Sequence, residues 1–237
     1  MVKIEISKCG ITCVKLFACL LCLSHGIVTI SHIDISLCNR MSQESSNPTT
    51  ITNAQRLINC TEEELTAELL REGMSNDIFI EIVRRYQKSI YYHCRNLLVS
   101  HDDADDAVQN SFIKIWQNGH QFKGESQLKT WIFRIATNES INLIRKRKPD
   151  IDFDEAQPEM AELISGDLYL SGDDIAIKLQ KALCFLPFKQ KLVFTLRYFE
   201  DLSYADIALL TSTSEGALKA SYHHAMKKLE IYLNVLR

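Results

Sequence analysis

From Asp77 to Val99 an apolar residue returns at every third or fourth position: Phe79, Ile82, Val83, Tyr86, Ile90, Cys94 and Leu97. That period marks one face of an α-helix and no face of a strand, so it commits the chain to burying helix against helix. The flanking stretches carry the same signature. Thr61 with Glu64 forms a capping box that opens a helix to about Glu72, and Gly73 stops it. A third helix is expected from Asp102 to Asn118, with acids in its first turns where the helix dipole favours them. Its Ala104, Val108, Ser111, Phe112 and Ile115 turn inward, leaving Asp106, Gln109, Asn110, Ile113 and Gln117 outside. After the loop 120–126, a fourth helix runs from Gln127 to about Lys148. Leu128, Trp131, Ile132, Ile135, Ala136 and Leu143 cover one side of it, and Thr130, Arg134, Thr137, Asn138 and Arg145 another. Further on, a helix is expected from Ile175 to about Phe185. Another enters at Pro187, near its first position, and packs Leu192, Val193 and Leu196. Eight glycines in 237 residues and 46% hydrophobic content suit an all-α globular chain.

Charge divides this helical chain in two. The net charge of −3 carries no global nucleic-acid signal, so any basic surface must be local. Between residues 127 and 148, Lys129, Arg134 and the run Arg145-Lys146-Arg147-Lys148 face only Glu139. From Pro149 to Asp174 there are nine acidic residues and no Lys or Arg. A polar helical stripe ending in four cations is what a helix lying along a phosphate backbone would present. The acidic segment contains Pro158, Gly166 and Gly172 and no sustained period, and reads as a tether with little structure. Two small helical domains are therefore expected, 61–148 and 175–237, joined by the linker 149–174. Each is near the size at which one core is only marginally sufficient.

The last stretch, Ser203 to Leu233, reads as a short helix, a polar break and a longer helix. Ser203 and Asp206 form a capping-box-like opening. Tyr204, Ile207, Ala208 and Leu210 turn inward, and Thr211-Ser212-Thr213-Ser214 interrupts the pattern. Ser214 N-caps the second helix, on which Leu218, Tyr222, Ala225, Leu229 and Leu233 share a face. Lys219, Ala220, His223 and Lys227 lie opposite, with His224 at the edge. This pattern fits a helix-turn-helix whose second helix enters the major groove, and it fits an ordinary helical hairpin with a solvated face.

Five of the eight cysteines, Cys9, Cys13, Cys19, Cys22 and Cys38, fall in the first forty residues. Cys60, Cys94 and Cys184 are scattered, as in a reducing compartment. Cys19 and Cys22 with His25 have a ligand-like spacing but no matching second half, so no metal site is assigned. Lys3 and Lys8 before the apolar run Leu16–Leu23 have the form of a poor signal peptide. That run is too short for a membrane span. The reading preferred here is a native start at Met41, followed by a polar, disordered tail, with residues 1–60 an N-terminal extension. His93 and Cys94 sit on the core face and need no chemistry.

Taken in order, these pieces resemble the extracytoplasmic-function, or group 4, sigma-70-type initiation factors of bacterial RNA polymerase. The resemblance is carried by Ala104-Asp-Asp-Ala-Val-Gln109-Asn-Ser-Phe112 with Trp116, and by Thr130-Trp131 through Ile135-Ala136-Thr-Asn138. It continues in Asn142-Leu-Ile-Arg145, Leu186-Pro187, Tyr204-Ala-Asp-Ile-Ala208 and Ser214-Glu-Gly-Ala-Leu-Lys219. It implies a sigma-2 domain that binds the polymerase clamp and opens the −10 element, and a sigma-4 domain that reads −35 and docks on the flap. Carried over, Asp106, Gln109, Asn110 and Ile113 fall on the clamp-binding helix. The loop with Phe122, Lys123 and Ser126 falls where a flipped −10 base is captured. Arg134, Asn138, Asn142, Arg145 and Lys146 face −10 DNA, and Ser214, Glu215, Lys219, Ala220, His223, His224 and Lys227 face −35 DNA. The resemblance also implies core polymerase, double- and single-stranded promoter DNA and an anti-sigma factor as partners, with no cofactor, in the cytoplasm and off the membrane. Ser212 stands where the family's turn usually has glycine and Thr213 where it is usually apolar. Ser221, His224 and Met226 replace often-basic positions, which implies a weaker salt dependence for that half.

Base capture requires unstacking, which costs about a few kcal/mol that a pocket must offset. Phe122 could supply a stacking surface and Lys123 could meet the displaced strand, whereas Trp131 belongs by helical angle with the core. Lys219 is the best placed residue to read a base edge. The acidic tether, whose charge resembles that of a nucleic acid, suits a basic channel of the polymerase. No phosphate-cradling glycine loop, HExxH, GxSxG or kinase set occurs, so an enzyme reading has no support. The rival is a helix-turn-helix regulator that never joins polymerase, which leaves Asp106, Gln109 and the helix-four stripe without a role. A membrane-tethered signalling protein would rest wholly on residues 1–40.

Overall fold

The computed structural model describes residues 57, 59–147 and 174–235, and among these all regular structure is helical. The helices are α1 (Glu62–Glu72), α2 (Asn76–Leu98), α3 (His101–Asn118), α4 (Leu128–Arg147), α5 (Asp174–Cys184), α6 (Phe188–Tyr198), α7 (Tyr204–Thr211) and α8 (Glu215–Val235). A single 3₁₀ turn, Gly119–Gln121, follows α3. The all-α expectation holds. The expectations for the Met41 start, the cysteine-rich leader and the body of the acidic tether lie outside the described residues.

Local chemistry sets the helix ends. Thr61 and Glu64 close the reciprocal capping box, with Glu64 N–H donating to Thr61 Oγ1 (3.2 Å) and Thr61 N–H to Glu64 Oε2 (2.8 Å). Ser75 and Ser100 cap α2 and α3 by accepting from Ile78 and Asp103 N–H. Between α2 and α3 the chain reverses in a γ-turn at Val99 (φ 67, ψ −40), closed by Ser100 N–H to the Leu98 carbonyl at 2.8 Å. That backbone is strained for a β-branched residue, and Val99 is held in it with its side chain buried, 3% exposed.

Helices α2, α3 and α4 bury the expected faces. Ile82, Ile90, Cys94, Ala104, Phe112, Ile115, Ile132 and Ala136 are all fully enclosed. Phe133, unremarked in the sequence pattern, joins them, with the ring of His93 edge-on to it at 5.2 Å. A smaller cluster of Ala182, Leu183, Leu186, Phe194, Ala225 and Leu229 ties α5, α6 and α8 together.

Two features depart from the sequence reading. The polar side of α4 is not uniformly solvated: Thr130 and Thr137 are each only 2% exposed, because each bonds a partner on another element. And the last four helices do not stand apart from the first four. Leu192, Val193, Leu196, Leu202, Ile207, Leu210 and Leu218 belong to the same buried cluster as the α2–α4 core, with α6 packed on α2 and α7 on α4.

Candidate functional site

Three surfaces carry the residues singled out from the sequence. The first is the outer face of α3. Its inner face is filled by Ala104, Ala107, Val108, Ser111, Phe112 and Ile115, which leaves Asp106 and Gln109 exposed and Asn110 and Ile113 half-buried beside them. At 100° per residue the four occupy one arc of the helix. Asp103, one turn earlier, is buried and ion-paired with Arg147 at the end of α4. Burial raises its carboxyl pKa, and the Arg147 guanidinium opposes the rise. Within the expected run of four cations, Arg147 is thereby committed to an ion pair inside the protein. No periodicity could reveal that pairing, because its partners are 44 residues apart.

The second surface is α4 with the loop before it. Arg134, Asn138, Asn142, Arg145 and Lys146 are all exposed along the helix. Asn142 donates to Glu139 Oε1 (3.3 Å), and Glu139, nearly buried, also accepts from Lys114 of α3. Behind the stripe, His93 Nε2 lies 2.9 Å from Thr137 Oγ1. Burial drives the His93 pKa down to about 3, so the ring is neutral, and burial lifts the Cys94 thiol to about 12. Neither group has a titrating role at neutral pH.

The loop corrects one expectation. Phe122 is no open stacking surface. It is 7% exposed, with its ring 5.4 Å from that of Trp131, and it anchors the loop to the core. What the loop offers to solvent is His120, Gln121, Lys123, Gly124 and Glu125, with Ser126 half-buried. Gly124 takes φ +73, a backbone conformation that favours glycine, and a Cβ there would meet only the end of the exposed Leu70 side chain, at 3.0 Å from its Cδ1.

The third surface is the helix-turn-helix. Ser203 caps α7 by accepting from Asp206 N–H (3.1 Å). The Asp206 carboxylate does not return to the Ser203 backbone as in a true capping box: it accepts from the Ser203 hydroxyl and, across the molecule, from Thr130 Oγ1 (3.2 Å). Ser212 makes the turn in the left-handed region (φ 54, ψ 39) without the glycine usual there. Ser214 then caps α8, accepting from Ala217 N–H (3.4 Å). Leu218, Ala225 and Leu229 face inward. Ser214, Glu215, Lys219, Ala220, His223, His224 and Lys227 are all exposed, on the face expected to read DNA. Lys219 is held by Glu215 (3.3 Å) and lies over the Tyr204 ring at 5.5 Å, which keeps its stem over the turn. Between α4 and this unit lies a cleft of about 380 Å³, lined in part by Asn138, Arg145, Lys189, Thr213 and Ser221. Among the described residues no group of three or more His, Cys, Asp or Glu could hold a metal ion, and no helix is long and apolar enough to cross a membrane.

Residues 82–149 match the family described as sigma-70 region 2, and residues 176–229 match sigma-70, region 4. The chain is 32% identical over 170 residues to the ECF RNA polymerase sigma factor SigW of Bacillus subtilis, covering 68% of this chain and 91% of that protein. To the ECF RNA polymerase sigma-E factor of Haemophilus influenzae it is 30% identical over 184 residues, covering 71% and 95%. Among solved structures, the sigma factor RpoE of Bartonella quintana, in complex with the anti-sigma factor NepR, shares the fold at a TM-score of 0.54 and 24% identity. That match covers 67% of this chain and 98% of that one. CnrH, solved with the cytosolic domain of CnrY, shares it at 0.51 and 21%, covering 73% and 97%. The two region matches in order, and relatives at this identity aligned over nine-tenths of their length, place the chain in the extracytoplasmic-function branch of the sigma-70 family of RNA polymerase sigma factors.

Proposed function

We propose that this sigma factor holds core polymerase through the outer face of α3 and distributes promoter recognition between α4 and α8. In this reading residues 61–148 form the sigma-2 domain and 175–237 the sigma-4 domain, with 149–174 as the linker. Asp106 and Gln109, flanked by Asn110 and Ile113, meet the clamp. Arg134, Asn138, Asn142, Arg145 and Lys146, with Lys123 and Ser126 of the loop, meet −10 DNA. Ser214, Glu215, Lys219, Ala220, His223, His224 and Lys227 meet −35 DNA, and the sigma-4 domain docks on the flap. The factor acts by binding and not by catalysis, in the cytoplasm where polymerase and promoters are. An anti-sigma factor is a further expected partner, as in the complex solved for the Bartonella protein.

One observation supports the reading most: the residues assigned to the polymerase clamp, to −10 DNA and to −35 DNA fall on three separate surfaces, each exposed or half-buried over a buried helical core. A helix-turn-helix regulator acting without polymerase would need only the third. Run-off transcription with purified core polymerase tests the proposal. Added chain should direct initiation from a defined promoter, and the start sites should carry −35 and −10 sequences at constant spacing. Failure to bind core, with tight binding to duplex DNA alone, would favour the regulator.

A further inference from the structure

Helix α1 lies ahead of the region-2 match, which begins at residue 82, and it carries none of the residues assigned to polymerase or to DNA. Its Leu65 and Leu69 are buried in the core. Its start is pinned to α2, where Arg85, itself paired with Glu81, donates to the carbonyls of Leu57 and Cys60. Beyond these contacts, α1 and the turn after it meet the segment from Gly119 to Lys129 at three points. That segment holds the −10 loop and the first turn of α4.

Met74, in the turn between α1 and α2, sits on Gly119. A Cβ at Gly119 would fall 2.8 Å from Met74 Cβ, so only glycine lets the 3₁₀ turn come this close. Leu70 lies over Gly124 of the loop. Glu62, in the first turn of α1, accepts through Oε1 from the Lys129 N–H at 3.2 Å. That amide is among the first of α4, which have no partner within the helix. Gln127, just before α4, is a poor capping residue, and the Ser126 hydroxyl is turned to the Gln127 carbonyl (3.4 Å). The Glu62 carboxylate thus serves α4 as a cap lent by another helix, 67 residues upstream, and it complements the positive end of the α4 dipole. Tyr86 of α2, buried, donates its hydroxyl to the same carboxylate and holds it toward α4. Burial and that carboxylate together raise the Tyr86 pKa.

We propose that α1 is a brace for base capture, with Glu62 as its positioning residue. It sets where the loop and the first turn of α4 stand, and so sharpens recognition of the captured −10 base without touching DNA. A loop fixed only at its ends samples many conformations, and contacts made before binding lower the cost of ordering it around a base. The proposal rests on the reading of Lys123, Ser126 and α4 as the −10 surface. The test uses the full chain assembled with core polymerase, and single-stranded −10 oligonucleotides taken from the start sites that run-off transcription maps. One oligonucleotide is matched, and each of the others carries one changed base. Glu62→Leu removes the acceptor and keeps the bulk. It should reduce discrimination at the captured base by about tenfold, with core affinity and −35 duplex binding unchanged. Glu62→Gln retains an acceptor for the Lys129 N–H and should discriminate as the parent does. If Glu62→Leu lowers helicity, Leu70→Ala takes its place: that side chain is half exposed, and its loss should cost about threefold at the same base. Undiminished discrimination in Glu62→Leu and Leu70→Ala would overturn the brace. So would a loss that Glu62→Gln shares in full, or one that falls equally on core, −35 duplex and −10 strand. A parent chain that discriminates while no variant differs from it sinks only the brace. A parent chain with no preference among the −10 oligonucleotides sinks the loop reading, and the brace with it.

Discussion

Ser212 carries the turn of the helix-turn-helix at φ 54, in a region that an L residue occupies at a cost of about 1–2 kcal/mol. It is exposed and its side chain makes no burial that glycine would forfeit. Ser212→Gly should therefore stabilise the chain by about 1 kcal/mol, raising the thermal midpoint by about 2–4 °C. A midpoint that falls would mean the turn geometry is wrong. Two buried groups carry opposite pH signatures. His93 has its folded pKa lowered from 6.5 to about 3 by burial, so its neutral form supports the fold above pH 6.5, and that support is lost as pH falls toward 3. Glu200 has its folded pKa raised from 4.5 to about 7 by burial, against the pull of Lys129 on α4 and with Asp201 beside it adding to the rise. Its contribution is therefore fully present below 4.5 and is lost as pH rises toward 7. Denaturant midpoints across pH 4 to 8 should flatten on the acid side in His93→Phe. In Glu200→Gln the decline between 4.5 and 7 should disappear.

At the scale of the element, α4 divides its labour by side. Its inner side carries Ile132, Phe133 and Ala136, and its outer side presents Arg134, Asn138 and Arg145 to solvent. Removing charge at Arg145 and Lys146 should lower DNA affinity for all sequences alike. The slope of log affinity against log salt should shrink by about 0.9 for each phosphate no longer neutralised. Lys219→Ala on α8 should instead relax preference for one −35 position, by about 1–3 kcal/mol of discrimination. Filter binding against matched and scrambled −35 duplexes separates the two, and equal loss on both by Lys219→Ala would remove it from base reading. Helix α7 shows how one side chain serves two elements: Asp206 interacts with its own N-cap serine and with Thr130 of α4 at once.

At the scale of the whole molecule, Asp106→Lys should weaken core binding by about tenfold or more while leaving the chain folded, because the residue is exposed. Pull-down with core polymerase and a melting curve check both halves.

Helix number, inward faces and three of the caps were readable in the residues, because a 3.6-residue period and an N-cap are local properties: Thr61, Ser203 and Ser214 cap as expected, and Ser75 and Ser100, which the sequence reading passed over, obey the same local rule. The exposed arcs of α3, α4 and α8 followed from the same period, whereas the loop residues and the assignment of each surface to a partner rested on the family resemblance. Tertiary structure alone decided that Phe122 turns into the core, that Asp103 claims Arg147, that Thr137 answers His93, and that the two helical units close on each other. Each of these joins residues far apart in the chain, or enclosed by other elements, and a pattern of nearest neighbours holds no record of which distant partner will desolvate a side chain.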